Sequence, residues 1–554
     1  MDKAIDQRLS AEVPSRRDLA LRLFPFFMTA LSALMICLVF VGGVRRGMDH
    51  VVTFGPQSEQ NGMAIAISEL VYGLDAYVGY ASVVDALVKK MNGGIGAGDP
   101  NYRTILPRLG NADLLNEAIG DAISLGPQPR GFVSDGSLMT MVYDDVGIVD
   151  FDKAAFSLFG FRIQSLYYLF FTILSLSTAV FLLQFWIRPV AHIVLLCCLY
   201  AFFLELHGTF FVPNMPTFWG MRHGSTLAIV PMWHIALLLA YRARPSPAAL
   251  VLALVQVAIL VMAIKIRGSA VWTIVFLLAV TSFFAFRVWR NIPPTQRSIV
   301  ALAKLTARWP LAIVILGWLA SGIYTNVKLH PAYFTDDILP YHGAWHSAYL
   351  GLATSTAFWK QTGVTADPQS DLRDYASRGV YRDRAGYERA IAYLQSRNFI
   401  RSEAEYISPW TRTYKMRLHD NVMRRVFLVT IGANPAATVG LYLFWKPLQA
   451  VLVLARLMSS IPYAIWALTL GGTAILAGAY AAVRGATTYE IGTALWLLPA
   501  AAPFAALPNM WAYATPHTVV DLAFLVLVFV AFAPWAMFVW LIALWRRHVA
   551  ARAS

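Results

Sequence analysis

Four carboxylates crowd the stretch Tyr143-Asp144-Asp145-Val146-Gly147-Ile148-Val149-Asp150-Phe151-Asp152, and an apolar segment, 154–160, follows at once. Carboxylates beside an apolar run can act as a general base or hold a cation against a phosphate. Acids at a helix entry are also favoured by the helix dipole alone. Asp144 and Asp145, followed by Asp150, are the candidate bases.

A second constellation lies far downstream, where His330-Pro331-Ala332-Tyr333-Phe334-Thr335-Asp336-Asp337 precedes Tyr341-His342-Gly343-Ala344-Trp345-His346. If this stretch is helical, His342 and His346 share one face, as two metal ligands would, and Asp336 or Asp337 could complete a site for a divalent cation. Gly343 and Ala344 follow His342, so the general-base glutamate of a zinc protease helix is absent. The same histidines, with Trp345, can instead hydrogen-bond to and stack on a sugar or diphosphate. Lys415, with Arg424 and Arg425, supplies donors suited to a lipid phosphate or to headgroups.

The elements that position these groups follow from composition. Of 554 residues, 58% are hydrophobic and 14% charged, which excludes a soluble enzyme, a coiled coil, a disordered chain and a disulfide scaffold. The expected fold is an all-α polytopic membrane protein with about ten transmembrane helices, near 24–41, 165–186, 190–206, 227–241, 248–263, 270–288, 311–325, 463–482, 491–507 and 522–544. The first run lacks a signal-peptide cleavage pattern and reads as a retained anchor. The net charge of +14 belongs to loops beside spans and sets orientation, so it does not point to nucleic acid. Cys37, Cys197 and Cys198 fall inside apolar runs and read as packing residues.

Arg8, Arg16, Arg17 and Arg22 before the first span place the N-terminus in the cytoplasm, and Arg546, Arg547 and Arg552 place the C-terminus there too. The expected organisation is a cytoplasmic N-terminus at 1–22, a first span at 23–44, a first outer loop at 45–161 and a bundle of about six helices at 162–325. A second outer loop with an interfacial segment covers 326–460, and C-terminal spans at 461–545 precede a tail at 546–554. Residues 426–460 are apolar but broken by Gly432, Asn434, Pro435, Gly440, Lys446 and Pro447, which favours the interface. Loops of about a hundred residues on one side must pack on each other or on the membrane surface. The first shows helical periodicity at 65–74, 83–88 and 112–125, read as amphipathic interfacial helices. Arg222, His223, Lys265 and Arg267 lie at span ends on the outer side, against the usual charge bias. An anionic phosphate would explain them, as would pairing with Glu205 or headgroups.

An acidic pair, a short spacer and an alanine-containing helix ending Leu158-Phe159-Gly160, in the first large outer loop, resemble the integral-membrane glycosyltransferases of the GT-C superfamily. Protein mannosyltransferases and aminoarabinose transferases belong to it. As a whole the chain also looks like bacterial polytopic inner-membrane proteins. The superfamily resemblance implies transfer of a sugar from a polyprenyl-phosphate donor to an envelope glycan, lipid or protein acceptor, on the extracytoplasmic face of a bacterial inner membrane. By similarity Asp144 and Asp145 activate the acceptor. The family's acid lies nearer the end of the first span, which makes Asp49 a competitor. The alternatives are a lipid or glycan transporter, a non-enzymatic membrane assembly subunit, and a metal-dependent hydrolase at His342 and His346.

Overall fold

A computed structural model describes residues 16–49, 51–52, 58–91, 109–110, 112–128, 138–140, 145–206, 221–293, 295, 298, 308–335, 343–358, 383–407, 414–459, 461–483, 488–512 and 519–553. These residues are overwhelmingly helical. The chain opens with α1 (Arg16–Asp49), and the first loop continues as α2 (Ser58–Tyr72), α3 (Ala81–Met91), α4 (Ala112–Ile123) and α5 (Gly147–Phe159). The periodicity read at 65–74, 83–88 and 112–125 falls largely in α2, α3 and α4. Two short antiparallel ladders tie these helices together. One joins β1 (Val51–Val52) to a later strand, and the other joins β2 (Val78–Tyr80) to the last. Their partners are β3 (Leu109–Gly110) and β4 (Leu138–Thr140), with Gly79 opposite Met139.

The bundle follows as α6 (Ile163–Gln184), α7 (Pro189–Leu206), a 3₁₀ turn at Met221–Ala228, α8 (Ile229–Ala240), α9 (Pro247–Ile266), α10 (Trp272–Arg290) and α11 (Trp309–Lys328). The start of α9 is fixed locally, since Ser246 Oγ accepts the Ala249 N–H at 3.1 Å and Pro247 opens the first turn. All residues of α8 are buried, so it forms the axis around which the other helices pack. Leu183, Ile187, Val251, Ile323 and Val327 instead point outward and remain exposed, the surface that lipid would cover.

The second loop contains α12 (Ala332–Thr335), α13 (Ala344–Leu350), α14 (Asp383–Ser396) and α15 (Met416–Ala433). After it come α16 (Pro435–Gly440), a π turn at Leu441–Trp445, α17 (Lys446–Ser459), α18 (Tyr463–Val483), α19 (Thr488–Ala505), α20 (Leu507–Trp511) and α21 (Val520–Ala553). Among the described residues, eight helices are long and apolar enough to cross a membrane, and three more are apolar but shorter. The protein is therefore an all-α, multi-pass membrane protein. All ten expected spans fall on helices. The remaining long candidate is Pro435–Ser459, whose helix breakers led to the expectation of an interfacial segment. The breakers do not end the helix there. Asn434 and Pro435 start it, and the rest is absorbed by the π turn.

Side chains of the first loop and the bundle share one hydrophobic core, which includes Tyr333 at the root of the second loop. The rest of that loop has its own core, built on Ala348, Tyr349, Leu394, Tyr406, Met423 and Phe427.

Candidate functional site

The first turn of α5 abuts the last turn of α9. A Cβ on Gly147 would lie 2.2 Å from the Lys265 carbonyl carbon and 2.3 Å from its oxygen, an approach that only glycine allows. This crossing carries Asp145 and Asp150 to the connection between α9 and α10. Asp145 Oδ2 accepts the backbone N–H of Gly268 at 2.6 Å. Asp150 Oδ2 accepts from Lys265 Nζ at 3.0 Å and from the Tyr77 hydroxyl at 3.2 Å. Arg267 lies in the same connection, its Nε donating to Ser269 Oγ at 2.8 Å.

The Asp150 side chain is 38% exposed and that of Lys265 20%, so a ligand can reach both. Lys265 Nζ lies 5.6 Å from the centre of the Tyr324 ring and Lys328 Nζ lies 4.6 Å from it, giving two ammonium groups against one aromatic ring. Tyr77 is held from behind, where its N–H donates to Glu69 Oε1 at 2.8 Å and Glu69 is ion-paired with Lys153 of α5. Burial, with the Asp150 carboxylate second, keeps the Tyr77 phenol well above its ordinary pKa, so it stays a donor. Burial likewise raises Glu69, against the lowering pull of Lys153.

The two loops meet here. Tyr333 donates its hydroxyl to the Tyr77 carbonyl at 2.8 Å, and His330 donates its N–H to the Ala76 carbonyl at 3.2 Å. Nearby, the buried Asp521 at the start of α21 accepts from Ser225 Oγ and from Trp272 Nε1, both at 2.8 Å. It thereby ties down the 3₁₀ turn that carries Arg222 and His223. Asp49 ends α1, but its side chain and those of Arg222 and His223 lie outside the described residues. So do Asp144, Asp336, Asp337 and His342 altogether.

His346, Trp345 and Lys415 gather elsewhere, on the second loop's own core. Helix α13 begins at Ala344 after an extended Gly343, so the helical face expected to pair His346 with His342 starts after His342. His346 Nδ1 instead lies 2.8 Å from His419 Nε2, and the Tyr406 hydroxyl lies 2.6 Å from His419 Nδ1. Tyr387 stacks on His419 with ring centres 4.5 Å apart, and a Cβ on Gly386 would come within 2.5 Å of His346 Cε1. Burial, then the neighbouring His346, lowers the His419 pKa well below the usual range. A neutral imidazole has one N–H, so His419 accepts at one nitrogen and donates at the other, linking Tyr406 to His346.

Asp420 Oδ1 accepts the Trp345 N–H at 2.8 Å. Burial raises the Asp420 carboxyl, opposed by the backbone N–H groups of Trp345 and His346 and by Arg424. Lys415 Nζ donates to the Glu405 carbonyl at 3.0 Å. Trp511 Nε1 donates to the Ala344 carbonyl at 2.9 Å, docking α13 on α20. Lys446 Nζ closes the end of α20 by donating to the carbonyls of Met510, Trp511 and Ala512 at 2.7, 3.0 and 2.8 Å.

Of the residues singled out from sequence, Asp145, Asp150, Lys265 and Arg267 come together, whereas Trp345, His346 and Lys415 stand on a separate core. Among the described residues no group of three or more His, Cys, Asp or Glu side chains is placed to hold a metal ion. Tyr77, Tyr324, Lys328 and Asp521 are additional members of the carboxylate end. Asp521 carried a usable signal, an acid at the opening of an apolar span. No protein-family model matches the chain, and no curated protein and no solved structure is significantly similar to it.

Proposed function

We propose that the protein is a membrane glycosyltransferase that moves a sugar from a polyprenyl-phosphate donor to an envelope acceptor on the extracytoplasmic face of a bacterial cytoplasmic membrane. In this reading the chain crosses ten times with both termini inside, and 435–459 stays at the outer interface. The observation that carries the proposal is the Asp150–Lys265–Tyr77 cluster, with a half-exposed carboxylate and an ammonium at the ends of apolar helices. A donor arriving through the bilayer would meet this cluster without needing a soluble nucleotide-sugar domain.

Donor phosphate draws Lys265 away from Asp150, with Arg267 beside it, and the carboxylate is released to act as a base. The acceptor hydroxyl gives its proton to Asp150 as its oxygen bonds to the sugar's anomeric carbon. The bond from that carbon to the phosphate oxygen breaks, and its electron pair leaves with the polyprenyl phosphate, stabilised by Lys265 and Arg267. Tyr77, held protonated, orients the Asp150 oxygen that it shares with Lys265.

The test compares envelope glycans and lipid-linked sugars by mass spectrometry in cells bearing the native chain, Asp150→Asn, or the double change Asp144→Asn with Asp145→Asn, at matched protein levels. Loss of one glycan modification and accumulation of its donor in Asp150→Asn, at least about a hundredfold in turnover, is the expected result. An unchanged profile in Asp150→Asn, where deleting the gene does change it, removes this carboxylate from the chemistry. No change on deletion sinks the transferase reading.

A further inference from the structure

At the end of the bundle opposite Asp150, a cavity of about 520 Å³ opens between helix ends. Its polar lining is Arg188, Tyr241, Arg242, Arg287, Asn291 and Glu490. Arg188 sits between α6 and α7, Tyr241 and Arg242 follow α8, Arg287 and Asn291 close α10, and Glu490 opens α19. Four segments distant in sequence thus converge on one space.

The charges do not cancel. Glu490 is satisfied by Arg188, with Nη1 to Oε1 at 2.6 Å, and the Arg188 guanidinium lies 5.1 Å from the centre of the Tyr241 ring. Among the described residues, neither Arg242 nor Arg287 is paired with a carboxylate. A cationic side chain in the last turn of a helix offsets the helix dipole, which explains Arg287 taken alone. Arg242 takes the left-handed conformation (φ +51°) that closes α8, its N–H donating to the Leu239 carbonyl at 3.2 Å and the Ala243 N–H to the Leu238 carbonyl at 3.0 Å. Neither the dipole nor this cap explains two guanidiniums without a carboxylate around an open volume within the usual range for small-molecule sites.

We propose that this cavity binds a phosphate-bearing anion, with the guanidiniums of Arg242 and Arg287 as its main donors and the Arg188–Glu490 pair as its wall. Guanidinium matches phosphate oxygens with paired, charge-assisted N–H bonds. Phe284 and Val288 supply an apolar flank, and the adjoining Ile187 and Phe286 are 67% and 52% exposed. That surface continues onto the face of the bundle that lipid covers, so an anionic phospholipid headgroup and free phosphate are the two sources of the ligand. The site is independent of the transferase reading.

The test uses the full chain. It is released from mixed phosphatidylcholine and phosphatidylglycerol vesicles and examined by native mass spectrometry. In parallel, thermal unfolding in detergent is followed with inorganic phosphate against chloride at equal ionic strength. Retention of phosphatidylglycerol over phosphatidylcholine by about tenfold, abolished by Arg242→Gln with Arg287→Gln, identifies the headgroup. Stabilisation by phosphate that the same double change abolishes, without any lipid preference, identifies the free anion. Glu490→Gln, which removes the lining carboxylate, strengthens whichever binding is seen and decides the matter if the double variant does not fold. Equal behaviour of native and variant chains toward both probes overturns the proposal.

Discussion

The two ends of the helix bundle handle charge in opposite ways. At the end where α9 finishes, acids and donors interlock across long stretches of sequence. Asp145 holds Gly268, Asp150 holds Lys265 and Tyr77, and Asp521 holds Ser225 and Trp272. At the other end three guanidiniums face an open cavity with one carboxylate between them. Interlocking acids fix two loops and a helix start relative to one another, whereas an excess of cation around open space is arranged for an anion. The same contrast supports the orientation proposed above, because arginines gather on the cytoplasmic side of membrane proteins.

The sharpest way to break this contrast is at Gly147. An alanine there puts a methyl carbon on the Lys265 carbonyl group, and relief requires α5 to move away from α9. We expect Gly147→Ala to destabilise the first loop by about 3 kcal/mol, at the upper end of overpacking costs, and to separate Asp150 from Lys265. Thermal unfolding gives the first quantity. Hydrogen exchange in 145–159 gives the second, and unchanged protection there would show that the crossing is not set by this glycine.

The next effect is at Asp521, buried with both oxygens engaged. Asp521→Asn turns one acceptor into a donor facing a donor, at a cost of about 2 kcal/mol. Thermal unfolding of this variant against Asp521→Glu checks it. Equal stability of the asparagine variant and the native chain would mean that the Ser225 and Trp272 bonds do not lock α21 to α10.

How far these contacts were legible from sequence depends on the distance over which they form. Apolar runs mark the helices because a span must satisfy its backbone internally and bury or wet its side chains in bulk, a local property. Asp150 and Lys265 were each singled out, but their pairing across 115 residues depends on the α5–α9 crossing, which no local pattern encodes. His346 illustrates the opposite case. The i, i+4 spacing suggested His342 as its partner, and the partner in space is His419, 73 residues away, because the helix begins only at Ala344. Residues 435–459 show why breakers are ambiguous, since a π turn can take up an irregularity and keep the helix going. Arg242 directly follows the expected span at 227–241, and nothing in the sequence announces its left-handed backbone.

The second loop carries a pH dependence of its own. His419 has its pKa lowered by burial, so the unfolded loop binds more protons than the folded one between that lowered value and the ordinary 6.5. Its stability is therefore complete above about 6.5 and is lost as pH falls below it, by at most about 1.4 kcal/mol per unit. Hydrogen exchange in α14 and α15 at falling pH should show this loss, and His419→Phe should flatten it. A native profile that stays flat over the same range would place the titration elsewhere.

The smallest effect bears most directly on the contrast between the ends. At the left-handed Arg242, glycine removes a conformational penalty but gains freedom in the unfolded chain, so Arg242→Gly should stabilise the protein by only about 0.5 kcal/mol. The same change removes a guanidinium from the cavity and should weaken anion binding, as judged by thermal unfolding with and without phosphatidylglycerol or phosphate. A residue whose removal leaves the fold at least as stable while costing the ligand is placed for binding. If Arg242→Gly instead destabilises the chain by more than about 1 kcal/mol, the guanidinium is a strut, and the arginine end resembles the carboxylate end after all.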